Sequence, residues 1–180
     1  MKRILSLILA VLMLFSLAAC QSSGNAGSET TTTAGYEGTL TELVAELYKD
    51  NTPEFMVGEA MPIEITDNDA VFYYFGLSSG EKLKEAVFSE PMMGSQAYSL
   101  CLARLNDAAD AEDVKKEIAE NIDMRKWICV GADQLRVVSA GDVVLMIMID
   151  SSLDSELAGN IVTAFETACG GVSGTSHSKG

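Results

Sequence analysis

The chain has a single histidine and few basic side chains: 12 Lys and Arg stand against 26 Asp and Glu in 180 residues. One imidazole excludes most zinc sites and catalytic triads, which use histidine as a ligand or a base. The formal net charge of -14 leaves no cationic surface of the kind that nucleic-acid phosphates require. We therefore expect no nucleic-acid partner.

Glycine-rich phosphate loops and CxxC pairs are also missing from the sequence. The segment that begins Asp67-Asn68-Asp69 starts like a calcium loop. The sixth and twelfth positions of an EF-hand would then hold Phe72 and Ser78 instead of Gly and Glu. We expect no metal and no cofactor, and we expect Asp67 to cap a helix.

The N-terminal 20 residues have the pattern of an export signal. Residues 1–3 are cationic at two positions, and residues 4–15 are apolar apart from Ser6. Leu17-Ala18-Ala19-Cys20 then matches the lipobox of bacterial lipoproteins. The alternative is an uncleaved transmembrane helix of about 17 residues, which would give Cys20 no role.

Cleavage before Cys20 would make residues 1–19 a signal peptide and Cys20 the lipidated N-terminus of the mature protein. A diacylglyceryl group carries two acyl chains, which suffice for stable anchoring. We expect the protein at the outer face of the cell membrane, with the membrane as a partner through this lipid.

Two segments are rich in small polar residues. Ser, Thr and Gly supply 11 of the 18 residues in 21–38 and eight of the 11 residues in 170–180. Such segments have too little apolar surface to offset the entropy lost on ordering. We expect residues 20–38 to be a disordered tether and residues 170–180 a disordered tail. One folded domain then spans residues 39–169.

Local patterns predict the elements of that domain. Thr39 and Glu42 form a capping box at the start of a helix that ends near Asp50, and residues 52–66 have the composition of a loop. Periodicity and turn residues then predict, in order, strands over 83–90 and 96–106, a helix capped by Asp110, a hairpin of 135–139 and 143–149, and a last helix capped by Ser151 or Ser152.

The segment Asp67 to Gly76 is compatible with two structures. Its apolar run at 71–75 suits a buried strand, whereas Asp67 as a cap and Gly76 as a terminator suit a short helix. We favour the helix.

Hairpins combined with helices between and after them predict an α+β fold. We expect a two-layer domain with an antiparallel sheet of about four strands. Residues 143–149 are apolar on both faces, which predicts a central strand. We expect the stripe of Leu157, Ile161 and Phe165 to pack on this sheet.

Four stretches resemble a known family: Tyr73-Tyr74-Phe75-Gly76-Leu77, Ala97-Tyr98-Ser99-Leu100, Val114-Lys115-Lys116-Glu117-Ile118 and Gly141-Asp142-Val143-Val144-Leu145. Over most of residues 39–169 the chain resembles small lipoproteins of Gram-positive, Clostridia-type bacteria that are known only as a domain of unknown function. The resemblance implies an exported, lipid-anchored α+β domain. It supplies no catalytic residue.

Three thiols remain once Cys20 is lipidated: Cys101, Cys129 and Cys169. We favour buried, inert thiols, with one disulfide or a reactive or metal-binding thiol as alternatives. A nucleophilic cysteine needs a cationic activator, and His177 is the one histidine available, in the predicted tail.

Aromatic and methionine side chains form a candidate interaction surface. It comprises Tyr73, Tyr74, Met92, Met93 and Trp127, and the alternative for its aromatic members is packing under the sheet.

Pairs of acidic residues are a second candidate for a functional site. Glu59 with Glu64, or Asp110 with Asp113, would suit acid–base catalysis, but chance pairs are common among 26 acidic residues.

These features favour a surface-tethered, non-catalytic binding or interaction module whose partner is an unknown protein or another component of the cell envelope. The alternative is an extracytoplasmic hydrolase that uses carboxylates on cell-wall material. A solute receptor with two lobes fits poorly, because about 131 residues form one domain.

Overall fold

A computed structural model describes residues 34–55 and 57–180. The predicted signal peptide, Cys20 and most of the predicted tether lie outside these residues. None of the helices in the described part of the chain combines the length and the apolar composition of a membrane span.

Four helices and six strands make up the described part of the chain. Their bounds are α1 Leu40–Tyr48, β1 Met61–Pro62, α2 Asn68–Phe75, β2 Leu83–Ser89, β3 Tyr98–Leu105, α3 Ala111–Asn121, β4 Gln134–Ala140, β5 Val143–Ile149, α4 Leu157–Cys169 and β6 His177–Lys179. The strands form one antiparallel sheet in the order β1-β2-β3-β5-β4-β6.

The α+β class is confirmed, but the sheet has six strands instead of four. The two additional strands are the edge strands β1 and β6, which contain two and three residues. β1 lies in the predicted loop and β6 in the predicted tail. Strands this short are too brief to show an alternating pattern.

Helices cover both faces of the sheet, so the domain has three layers rather than the two that we expected. Alternate residues of β5 point to opposite faces. Val143, Leu145 and Ile147 pack with α1 and α4. Met146 and Met148 pack with α2 and α3. This double cover explains why every residue of β3 and β5 is buried.

The first two helices begin as the sequence predicts. At α1, Glu42 N donates to Thr39 Oγ1 over 3.2 Å, and Thr39 N donates to Glu42 Oε2 over 2.9 Å. At α2, Asp69 N donates to Asp67 Oδ1 over 3.0 Å. The segment Asp67 to Gly76 is therefore a helix. Gly76 ends it with φ of 72°, and the Ile122 backbone lies so close that a Cβ on Gly76 would clash with it.

One predicted helix cap is at the right position, and the other is wrong. Asp110 is the N-cap residue of α3, but its side chain makes no capping hydrogen bond, and Asp107 caps the short 3₁₀ turn just before α3. α4 begins at Leu157, where Asp154 Oδ1 accepts from Leu157 N over 3.0 Å. The Ser151 hydroxyl donates to Asp133 at the end of the sheet instead.

The predicted hairpin and its central strand are confirmed. β4 and β5 are joined through Gly141, whose φ of 57° suits glycine. β5 lies between β3 and β4 in the interior of the sheet. Leu157, Ile161 and Phe165 are buried against this sheet, as expected.

Residues 34–38 are ordered, in contrast to the disorder predicted for the tether. Arg104 is largely buried and donates to the carbonyl oxygens of Tyr36 over 2.9 Å and Gly38 over 2.7 Å. Gly35 N donates to the Cys169 carbonyl over 2.9 Å. A buried guanidinium needs acceptors for its five N–H groups, and this backbone supplies two of them.

The C-terminal segment, for which the sequence predicts a disordered tail, makes defined contacts and contains the strand β6. Lys115 is completely buried, and its Nζ donates to the Ser173 carbonyl over 2.8 Å and lies 2.7 Å from Glu112 Oε1. β6, which includes His177, then pairs with β4. A buried ammonium must be paired, so Lys115 holds a segment whose composition alone predicts disorder.

Candidate functional site

Three of the predicted surface residues meet around one cation that the sequence reasoning missed. The Lys126 Nζ lies 4.4 Å from the ring centroid of Tyr73, 5.0 Å from that of Tyr74 and 5.4 Å from that of Trp127. The tyrosines belong to α2, whereas Lys126 and Trp127 belong to the segment between α3 and β4. All three distances are within the range of cation–π attraction.

A carboxylate completes the surroundings of this ammonium group. Glu90 Oε1 lies 2.6 Å from Lys126 Nζ and also accepts from Ser99 Oγ over 2.6 Å. The Lys126 side chain is only 3% exposed, although it belongs to an irregular segment. We name Tyr73, Tyr74, Trp127 and Glu90 the ammonium cage.

The two tyrosine rings of the cage pack on each other and, through Tyr74, on the sheet, and they remain neutral. Tyr74 stacks on Phe88 of β2 with the ring centroids 4.2 Å apart, and it meets Tyr73 edge to face at 5.0 Å. Burial raises the pKa of Tyr74 to about 12, and the nearby charge of Glu90 adds to this effect. Burial also raises the pKa of Tyr73. Neither hydroxyl ionises near neutral pH.

An open cleft of about 500 Å³ lies over the cage. Its walls, which we call the aromatic cleft, are Tyr73, Gly94, Ser95, Lys126, Trp127, Ile128 and Cys129. Ile128 is completely exposed, and Cys129 is exposed beside it. The cleft is thus lined mainly by apolar groups with one neutralised cation.

The two methionines of the predicted surface are on the loop next to the cleft. Met92 is 80% exposed and Met93 is 67% exposed, and they directly precede the cleft residues Gly94 and Ser95. Tyr73 is also exposed, whereas Tyr74 and Trp127 are half-buried and pack against the core. The alternative of packing under the sheet therefore applies to Tyr74 and Trp127, which are partly buried, and not to Tyr73.

The three cysteines of the described residues are all free thiols. Cys101 and Cys169 are buried, and burial raises their pKa to about 12 and about 11 respectively. These two cysteines are buried, as predicted, and their raised pKa values favour unreactive thiols. Cys129 differs, because it is exposed in the aromatic cleft.

Three of the four acids in the pairs named from the sequence bind other groups. Lys82 Nζ lies 2.9 Å from Asp110 and 3.6 Å from Asp113. Glu64 accepts from the Thr66 hydroxyl over 2.7 Å. Among the residues that the structure describes, no cluster of three or more His, Cys, Asp or Glu side chains is arranged to hold a metal ion.

A second cavity, of about 580 Å³, contains acids that sequence reasoning did not select. Glu85 and Asp142 both line it, and both bind Arg104, with Nε 2.9 Å from Glu85 Oε1 and Nη1 3.4 Å from Asp142 Oδ1. Each carboxylate is therefore paired with the same guanidinium.

Ser99 and Lys126 also resemble a serine–lysine catalytic pair, with Lys126 Nζ 3.3 Å from Ser99 Oγ. Such a pair needs an accessible nucleophile and a lysine that accepts a proton. Ser99 is completely buried, and Lys126 is ion-paired with Glu90. This geometry suits structural hydrogen bonding better than nucleophilic attack.

Comparisons with known proteins give no relative: no family model, no curated protein and no solved structure matches this chain.

Proposed function

We propose that the protein is a lipid-anchored, non-catalytic binding module at the outer face of the cell membrane. The aromatic cleft and the adjoining Met92–Met93 loop are its contact surface. The observation that carries this proposal is the concentration of exposed apolar side chains there, with Ile128 completely exposed and Met92 80% exposed.

Exposed apolar side chains of this size point to contact with a partner. Large apolar patches on a protein surface mark interaction sites, and burying apolar area contributes about 25 cal/mol per Å² to association. Methionine side chains are flexible and adapt to irregular surfaces. The loop with Met92 and Met93 therefore suits a partner surface beside the more rigid rings of α2.

Support for the lipid anchor comes from the sequence. The lipobox at residues 17–20 follows an apolar export signal. Cys20 lies outside the described residues, so the anchor is part of the proposal.

The carboxylate-based hydrolase has less support than the binding module. A glycosidase needs one carboxyl group that donates a proton and a second that acts as nucleophile or base. Glu85 and Asp142 line one cavity but share Arg104. Paired charges of this kind favour a structural role for both acids.

Photo-crosslinking in the native cells tests the contact surface. A photoreactive amino acid replaces Ile128 in the cleft and, as a matched control, Thr163 on the exposed side of α4. α4 packs on the opposite face of the sheet from α2 and α3, so the control samples another surface of the same full-length chain.

We expect a discrete crosslinked product from position 128, weaker product when Tyr73→Ala is added, and none of that product from position 163. Tyr73 is exposed, so its replacement removes a contact without opening the core. The same products from both positions, or none from position 128, would contradict the proposed contact surface.

A further inference from the structure

The ammonium cage has the composition of a ligand site for cations. Three aromatic faces surround the Lys126 ammonium at 4.4 to 5.4 Å, and Glu90 Oε1 lies 2.6 Å away. Aromatic cages of this type are a recurrent means of binding organic ammonium ions. In this structure the ligand position is filled by the protein's own lysine.

Two walls of the cage and its occupant differ in how they are held. Tyr74 stacks on Phe88, and Glu90 accepts from Ser99 of β3, so α2 and the sheet position these two walls, whereas Trp127 directly follows Lys126 in the chain. Lys126 comes from the irregular residues between α3 and β4, whose tip is the fully exposed Ile128. A lysine side chain also has four rotatable carbon–carbon bonds and a high rotamer entropy.

The cage is reachable from outside through the aromatic cleft. Two residues of the ammonium cage, Tyr73 and Trp127, and its occupant Lys126 also line this open cavity. An incoming group therefore meets the rings that contact the Lys126 ammonium, and it does not have to cross the core.

Resting on the proposed function of this cleft, we propose that the ammonium cage binds a primary alkylammonium group of the partner, and that Lys126 occupies the cage until this group displaces it. The released Lys126 ammonium then moves into solvent, where it is fully hydrated. No covalent bond changes in this exchange.

The hydrogen-bond acceptors around the Lys126 ammonium explain the preference for a primary ammonium. Glu90 Oε1 and Ser99 Oγ both lie within hydrogen-bond reach of Lys126 Nζ, at 2.6 and 3.3 Å. A primary ammonium has three N–H donors for them, whereas a quaternary ammonium has none. An anionic ligand would instead meet the Glu90 carboxylate and the faces of the rings.

Because Lys126 itself occupies the cage, it should lower the affinity of the cage for an external ammonium group. A ligand that binds only the vacated cage has an apparent affinity reduced by the fraction of molecules in which the cage is empty. If the cage is empty in about one molecule in ten, the wild-type protein binds about tenfold more weakly than a protein without this side chain.

The position of Trp127 provides a direct readout. It is the only tryptophan of the chain, and its ring belongs to the cage. We would titrate the full-length protein, in neutral detergent, with n-butylammonium, tetramethylammonium or neutral n-butanol, and follow Trp127 fluorescence. The variants are Lys126→Ala and, as a control for loss of one lysine charge, Lys116→Ala, whose side chain is exposed on α3.

We expect saturable binding of n-butylammonium to the wild type, about tenfold tighter binding to Lys126→Ala, and an unchanged response in Lys116→Ala. Tetramethylammonium should bind more weakly, and n-butanol should not bind. Adding Tyr73→Leu to Lys126→Ala should weaken the response. Because Tyr73 is exposed, the added Tyr73→Leu substitution opens no cavity in the core.

Two outcomes would overturn the inference. No response in either protein would show that the cage binds no alkylammonium group. Binding to Lys126→Ala alone would show that Lys126 is a permanent internal ion pair. A short N-acetylated peptide with one lysine, titrated beside n-butylammonium, separates the two sources of the group. Tighter binding of the peptide indicates a lysine side chain of a protein partner, and tighter binding of n-butylammonium indicates a free amine.

The two proposals fail separately. Crosslinking from position 128 without any ammonium response would leave the contact surface and remove the ligand class. An ammonium response without crosslinking from position 128 would leave the cage as a ligand site and remove the proposed contact with a partner.

Discussion

At the scale of single residues, two buried cations hold the segments at the ends of the described domain. Arg104 binds the carbonyl oxygens of Tyr36 and Gly38. Lys115 binds the carbonyl oxygen of Ser173. Both side chains look like ordinary surface charges in the sequence, because a charged residue is almost never fully buried unless it is paired.

Replacing Lys115 should therefore loosen the C-terminal segment. Lys115→Ala leaves the Ser173 carbonyl with only a 3.2 Å hydrogen bond from the Ser139 hydroxyl and removes the buried partner of Glu112. Loss of the partner of a buried polar group costs about 1–3 kcal/mol. We expect a lower melting temperature and faster proteolysis after residue 169.

Lys116→Ala is the matched control for this prediction, since Lys116 is exposed and its Nζ lies 4.0 Å from Glu120. An exposed pair of this kind contributes less than about 1 kcal/mol. Equal effects of the two substitutions would show that Lys115 does not hold the C-terminal segment.

At the scale of the elements, helix α4 provides the clearest test of the packing. Phe165 is completely buried between α4 and the sheet. Phe165→Ala removes a large side chain from this core and should cost about 3–5 kcal/mol. Chemical denaturation of the full-length protein measures the difference.

Thr167→Ala, at an exposed position on the same helix, should change the free energy of unfolding by less than about 0.5 kcal/mol. If Phe165→Ala were as mild as this control, α4 would not pack on the sheet as the structure shows.

The elements also show what sequence patterns can predict. Strong local signals predicted the capping box of α1, the hairpin at Gly141 and the buried stripe of α4, whereas the segment Asp67 to Gly76 suited both a strand and the helix that it forms. The short edge strands β1 and β6 were missed, because two or three residues carry no period and tertiary contacts decide their conformation. The three-layer arrangement was also missed. The face of the sheet that each helix covers depends on the topology of the chain, which local patterns do not show.

The candidate site was predictable only in part. Tyr73, Tyr74 and Trp127 were selected as aromatic residues, and the structure brings them together around Lys126. Lys126 and Glu90 are separated by 36 residues, and no sequence pattern pairs them. The one local signal for Lys126 was its position directly before the only tryptophan.

At the scale of the whole molecule, the proposed protein consists of a membrane anchor and a domain that carries a contact surface. The anchor is tested by metabolic palmitate labelling of the wild type and Cys20→Ala. We expect label in the wild type alone, because the lipobox Leu17-Ala18-Ala19-Cys20 has one cysteine. Equal labelling of both proteins would contradict lipidation at Cys20.

The proposed binding module requires that a partner covers the aromatic cleft in the native cells, and Cys129 provides a native probe of this contact. Cys129 is exposed in the cleft, whereas Cys101 and Cys169 are buried. The measurement compares the rate of maleimide labelling of Cys129 in intact cells with that in the purified protein. Labelling of a Thr163→Cys variant under both conditions corrects for access of the reagent.

We predict that, relative to the cysteine introduced at position 163, Cys129 is labelled more slowly in cells than in the purified protein, while the two buried thiols stay unlabelled in both. The same relative rate in cells and in the purified protein would show that nothing covers the cleft, and would contradict the account of this protein as a binding module that uses this surface.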